Sequence, residues 1–189
     1  LRTRRQRQMC IRDSEDLLLT AAEVAKEIPT VRFLFVGDGE LRDSLERQAA
    51  ELGLSRHIIF RGLVDPKEIP RQIAAMDILT HTSLREGLAR TLPQALLAGI
   101  PIVSYDIDGA REVCIDGETG YLVTAGDTQT LARQLMDLSR APELRKKFGM
   151  RGQSLCRERF SHHVMTDKIR GIYQKLLTDQ DVSQLPSEN

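Results

Sequence analysis

SLREGLARTLPQALLAGIPIV, residues 83–103, is the stretch whose reading decides the fold. A polar turn carries one acidic side chain, Glu86, and Gly87 follows it. Pro93 is tolerated only within the first turn of a helix, so the helix must start at about residues 90–92. Gly99 and Pro101 end it, and the apolar run 101–105 reads as a buried strand. A turn, a helix and a buried strand in this order belong to an α/β fold. There the arrangement gathers a carboxylate and free backbone N–H groups at the carboxyl edge of a parallel sheet, the edge at which such folds bind ligands.

The same alternation extends both ways. An apolar helical face begins near Glu15 and stops at Pro29, and VRFLFV (31–36) is a short buried strand. Gly37, Asp38 and Gly39 make a turn before a polar-faced helix over 40–52. Further strands are expected at 57–60, 77–81 and 120–123, and helices at 66–75, 128–139, 142–158 and 161–177, with one or two helical turns at 109–114. Strands alternating with helices predict a Rossmann-like, doubly wound parallel sheet followed by carboxyl-terminal helices. Five strands are visible where such a unit often has six. The sixth should precede the first helix, where a basic segment without periodicity stands instead. The chain therefore reads as an atypical basic tail or fragment edge (1–14), a Rossmann-like domain (15–177) and a loose polar tail (178–189).

Bulk properties narrow the function. A chain of 189 residues, 41% apolar, suits one globular domain. Lysine plus arginine number 27 and so do aspartate plus glutamate, so the basic surplus expected of a nucleic-acid binder is absent. Cys10, Cys114 and Cys156 have no CxxC spacing and no histidine cluster, which argues against a zinc site and for reduced thiols in a cytoplasmic protein. No apolar run approaches the 18 or so residues needed to span a bilayer. LRTRRQRQ lacks the apolar core of a secretory signal.

Several residues could carry chemistry. Glu86 is either an acceptor for ligand hydroxyls or an acidic residue favoured at a helix start. Backbone N–H groups of Gly87, Leu88, Ala89 and Arg90 could face a phosphate, with the Arg90 guanidinium adding charge or merely exposed. Gln94, close to the start of the same helix, can donate to and accept from ribose hydroxyls, or lie on the helix surface. Gly37-Asp38-Gly39 is weaker than a dinucleotide fingerprint but lets backbone approach a ligand, and Arg61-Gly62 after HIIF forms a similar loop. Asp106, Asp108, Arg111 and Glu112 form a charged patch read mainly as turn and cap residues. His81, at a strand end, is read as core or edge packing, and no metal site or Ser/His/Asp order emerges.

IPTVRFLFVGDGELRDSLERQAAELGLSRHIIFRGLV together with AAMDILTHTSLREGLARTLPQALLAGIPIVSYDIDGAREVCIDGETGYLV resembles the carboxyl-terminal half of a family 4 retaining glycosyltransferase, of the glycosyl transferases group 1 type. The resemblance covers roughly residues 15–177. It is specific because GDG, FRG, the EGL helix, AGIP, DGAREV and DGETGYLV occur in the expected order. It implies one half of a GT-B architecture, in which two Rossmann-like domains face each other across a cleft and the carboxyl-terminal one holds the nucleotide-sugar donor.

The family's hallmark, a glutamate followed after seven residues by a second, falls on Glu86 and Gln94. Glu86 would then be the catalytic-site carboxylate on the donor sugar. Gln94 departs from the pattern and would hold the ribose without charge. The backbone of Gly87, Leu88, Ala89 and Arg90 would lie near the sugar and diphosphate, and Gly37 with Arg61, Gly62 and Leu63 would line the nucleotide pocket. The last helix resembles one that runs back toward the amino-terminal domain.

The donor would be a UDP-, GDP- or ADP-linked sugar, with no cofactor and no metal, and the acceptor a glycan, a lipid-linked species or a small molecule. The expected place is the cytoplasm, with peripheral attachment at the inner membrane face as a further option. The family's GR…KG basic pair and its acceptor domain are not recognisable in this sequence, so the chain alone is expected to bind a donor and not to turn over. Two other readings stay open: a GT-B epimerase-like enzyme, and a degenerate, non-catalytic sugar-nucleotide-binding or interaction module.

Overall fold

β4, Ile102–Tyr105, is buried at every position and paired on both sides. Such a strand must be apolar on both faces, because each is covered by helices. The computed structural model describes residues 4–179, and within them the elements follow one another as expected of an α/β chain. They are α1 (Arg4–Glu27), β1 (Phe33–Val36), α2 (Arg42–Glu51), β2 (Ile58–Gly62), α3 (Ile69–Ala74) and β3 (Leu79–His81). Then come α4 (Thr91–Leu97), β4, β5 (Gly120–Val123), α5 (Thr128–Arg140), α6 (Pro142–Arg159) and α7 (His162–Asp179). Short 3-10 turns over Pro66–Glu68 and Asp108–Glu112 complete the set.

Alternation along β4 divides the core. Ile102 joins Leu92, Ala95, Leu96, Val113 and Cys156 on the α4 side. Val103 and Tyr105 join Leu131, Leu135, Leu138, Phe148 and Val24 on the α5 side. A third cluster, around Leu18, Ala21, Ala49, Leu54 and Ile58, packs α1 and α2 onto β1 and β2. α1 thus contributes to two clusters. It is fixed further where the buried Tyr105 hydroxyl donates to Asp16 Oδ2 at 2.8 Å. Burial and this acidic neighbour push the Tyr105 phenol well above its ordinary value. Burial likewise pushes the Cys114 and Cys156 thiols up, to about 12 and about 11, so both are packing groups rather than thiolates.

All strand pairs are parallel, in two sections: β1 with β2, and β3–β4–β5. Phe33 N–H donates to the His57 carbonyl (2.7 Å), and Leu79 N–H to that of Pro101 (3.0 Å). Peptide groups alternate sides along a parallel strand, so those of Leu34 and Thr80 point away from these partners. A cavity of about 610 Å³ lies there, lined among others by Val24, Ile28, Phe33, Ile78, Leu135 and Arg145. The sixth strand expected from the sequence is not among the described residues, and residues of both β1 and β3 line the cavity.

Two expectations need correction. The first helix does not begin near Glu15; it runs from Arg4, because Arg, Gln and Met are good helix formers even where no apolar period marks them. The segment expected over 66–75 is a 3-10 turn, capped by Asp65 on Lys67 N–H, that passes into the short α3. Residues 1–3 and 180–189, parts of the two expected tails, lie outside the described residues.

Past the end of β4, Arg111 donates to both carboxylate oxygens of Asp106, through Nε to Oδ1 and through Nη2 to Oδ2 (2.6 Å for the latter). The hydrogen bonds and charge of Arg111 hold the Asp106 carboxyl below its ordinary value. A lowered pKa means the pair stabilises the fold above the unfolded carboxylate value of about 3.9 and loses that contribution as pH falls through the lowered value. Asp106→Asn should therefore flatten the acid limb of stability, measured by urea unfolding between pH 3 and pH 7. Tyr105→Phe should lower stability by about 1–2 kcal/mol in the same assay at neutral pH, because it leaves Asp16 without a buried donor.

Candidate functional site

The residues expected to meet the donor fall in two groups, one around the ends of β1 and β2 and one between β3 and α4, with Gln94 on α4 itself. The first follows β1 and β2. Gly37 N–H donates to the Gly62 carbonyl at 3.0 Å and the two glycines form an isolated bridge, so the turn after β1 lies directly on the end of β2. Arg61 and Leu63 flank Gly62 and are exposed, Leu63 strongly so at 83%. Arg42, on α2, reaches over this junction. A Cβ added to Gly62 would fall 2.9 Å from its Nη1, while its Nε donates to Glu46 Oε1 at 2.8 Å. Arg42 was not singled out from the sequence, where it reads as one basic residue on a polar helix.

The second group follows β3. Thr82 is buried, and the chain then surfaces at Arg85, Glu86 and Gly87. α4 starts at Thr91, as Pro93 requires, with Arg90 preceding it and no side-chain cap. Gln94 is exposed on its first turns, eight positions after Glu86. Ala89, by contrast, is 4% exposed and belongs to the core with Leu92 and Leu96. Its side chain is an anchor, and only its backbone can face a ligand.

The turn is braced from behind. A Cβ on Gly109 would lie 2.5 Å from the Gly87 carbonyl oxygen and 2.6 Å from Leu88 N. Only a residue without a side chain allows the loop after β4 to approach the Glu86–Gly87 turn this closely. The sequence shows a glycine there, but the contact is between segments far apart in the chain and has no local signal.

Glu86 does not stand alone. Its Oε2 lies 3.1 Å from His81 Nε2, and His81 Nδ1 lies 3.4 Å from Ser104 Oγ. His81 was expected to pack in the core or at the sheet edge; it is half-buried, and it also touches the candidate carboxylate. Among the described residues no group of three or more His, Cys, Asp or Glu could hold a metal ion, and no helix is long and apolar enough to cross a membrane. What the arrangement offers chemically is a half-exposed carboxylate beside an imidazole, a short exposed backbone turn and a neutral amide, all at one edge of the sheet.

Comparison with known proteins gives these features a family. Residues 14–155 match the family described as glycosyl transferases group 1. A phosphatidyl-myo-inositol mannosyltransferase of Mycobacterium leprae is 34% identical over 158 residues, which is 83% of this chain and 41% of the mannosyltransferase. Among solved structures, HepE of Anabaena in complex with UDP and glucose superposes with a TM-score of 0.77 at 27% identity, covering 85% of this chain and 44% of HepE. Sucrose-phosphate synthase of Thermosynechococcus elongatus shares the fold, with a TM-score of 0.79 at 21% identity, covering 89% of this chain and 43% of the synthase. The chain thus spans less than half the length of these relatives. Its parallel α/β layers are those of one half of a GT-B glycosyltransferase, and the chain belongs to the glycosyl transferases group 1 family.

Proposed function

We propose that this chain, chiefly residues 15–177, is the donor-binding domain of a retaining glycosyltransferase that transfers a hexosyl group from a nucleoside-diphosphate sugar to an acceptor hydroxyl. The observation that carries the reading is the presentation of Glu86. It is half exposed at the carboxyl end of β3, on a turn braced by Gly109, in a member of this family. A carboxylate so placed suits the hydroxyls of a bound sugar. Gly87 to Arg90 then run beside the diphosphate, and Gln94 takes the ribose. The junction of Gly37 with Gly62, flanked by Arg61 and Leu63, lines the base. The complex of HepE with UDP and glucose supports a sugar nucleotide as the donor.

Transfer needs more than this surface. An acceptor must be held against the anomeric carbon and the leaving diphosphate must be neutralised. The acceptor, whether glycan, lipid-linked or small, is met by a second, amino-terminal GT-B domain of a longer protein, a reading supported by relatives more than twice the length that this chain covers. The chain by itself binds donor without turning it over.

Calorimetric titration with UDP, GDP, ADP and their common sugar conjugates tests this. Saturable binding that prefers one conjugate, and that weakens in Glu86→Ala, is the expected result. A folded chain that binds none of them would move the reading to a non-catalytic module, which the neutral amide at Gln94 would favour. Gly109→Ala should displace the Glu86–Gly87 turn and weaken donor binding several-fold, with the far-UV circular dichroism of the chain unchanged.

A further inference from the structure

We infer that His81 is a positioning residue, whose Nε2 holds the Glu86 carboxylate in the orientation that meets the ligand; this rests on the donor-binding reading above. His81 and Ser104 are register partners in the β3–β4 pair. Residues paired in register put their side chains on the same face of a sheet. Parity along β4 sends Ser104 to the same face as Ile102, the α4 side, so the imidazole lies over Ser104 on the face that carries the Glu86 turn. The chain then returns, and five residues after His81 brings Glu86 Oε2 to 3.1 Å from Nε2. The ring is enclosed, its side chain 13% exposed, whereas that of Glu86 is 49% exposed. One end of the contact is thus fixed in the protein and the other open to a ligand.

Ser104 lies at the other end of the ring. Its buried hydroxyl has the Tyr105 carbonyl at 2.9 Å and His81 Nδ1 at 3.4 Å. A carboxylate can only accept, so the 3.1 Å contact is a hydrogen bond with Nε2–H as the donor and Glu86 as the acceptor. The ring is thus held between a buried hydroxyl and the carboxylate that it orients. Without that hold, a glutamate on an exposed turn has to be ordered by its ligand, which weakens binding.

The experiment has two arms on the full chain. The first reads the imidazole ¹⁵N resonances of His81 without ligand. Nε2 should be protonated, and Glu86→Gln should shift its resonance. A spectrum with Nε2 unprotonated, or unmoved by Glu86→Gln, overturns the inference in its own right. The second measures UDP-glucose binding. His81→Leu should weaken it about tenfold, the loss expected for one charge-assisted hydrogen bond. His81→Gln, which keeps a donor amide and guards against a folding defect, should recover most of it. His81→Leu binding as tightly as the unaltered chain, where Glu86→Ala loses binding, overturns the positioning role and leaves the donor site standing. Glu86→Ala without effect removes the donor reading and the role of His81 with it.

Discussion

The burial of β4 on both faces is the constraint on which the molecule depends. No position of Ile102–Tyr105 meets water, so each side chain must find a place in a packed interior. Ile102 draws α4 and the Cys156 end of α6 to one face, and Val103 and Tyr105 draw α5, α1 and Phe148 of α6 to the other. The backbone of the strand pairs with β3 over residues 102–104 and with β5 over its whole length. The turns that leave the carboxyl ends of these strands have no freedom to wander, because both their roots are set in this core. That is how short exposed loops can carry a site.

The polar groups near β4 obey the same geometry. Ser104 is fully buried, so its hydroxyl has to be satisfied within the protein. Strand parity offers it His81 on one side and its own neighbour's carbonyl behind. The Tyr105 hydroxyl, one position on and on the opposite face, reaches α1 instead. Two adjacent polar groups on one strand thus serve different ends, one reaching the candidate site and the other tying down the first helix. The close approach of Gly109 to Gly87 adds a rigid back wall to the same turn.

Much of this was legible in the chain itself. The apolar runs at 31–36, 57–60 and 101–105 are short and bounded by glycine, proline or polar residues, and each became a strand. Pro93 confined the start of α4 to about residues 90–92, since its ring is tolerated only in the first turn, and the helix begins at Thr91. The order of motifs from GDG to ETGYLV carried the family. What escaped was of two kinds. Residues ahead of Glu15 have helix-forming side chains but no apolar period, and periodicity alone cannot see them. Contacts between distant segments left no local trace: His81 with Ser104, Gly109 with Gly87, and Arg42 over Gly62. Ala89 shows the converse, since it sits inside the motif yet turns its side chain into the core.

The approach of Gly109 to Gly87 also limits what sequences this site can carry. A side chain at position 109 would meet backbone, which cannot turn aside as a flexible side chain can. Position 109 and the Glu86–Gly87 turn are therefore coupled, and neither can change shape without the other. Reshaping the turn for a different ligand has to move the loop after β4 with it.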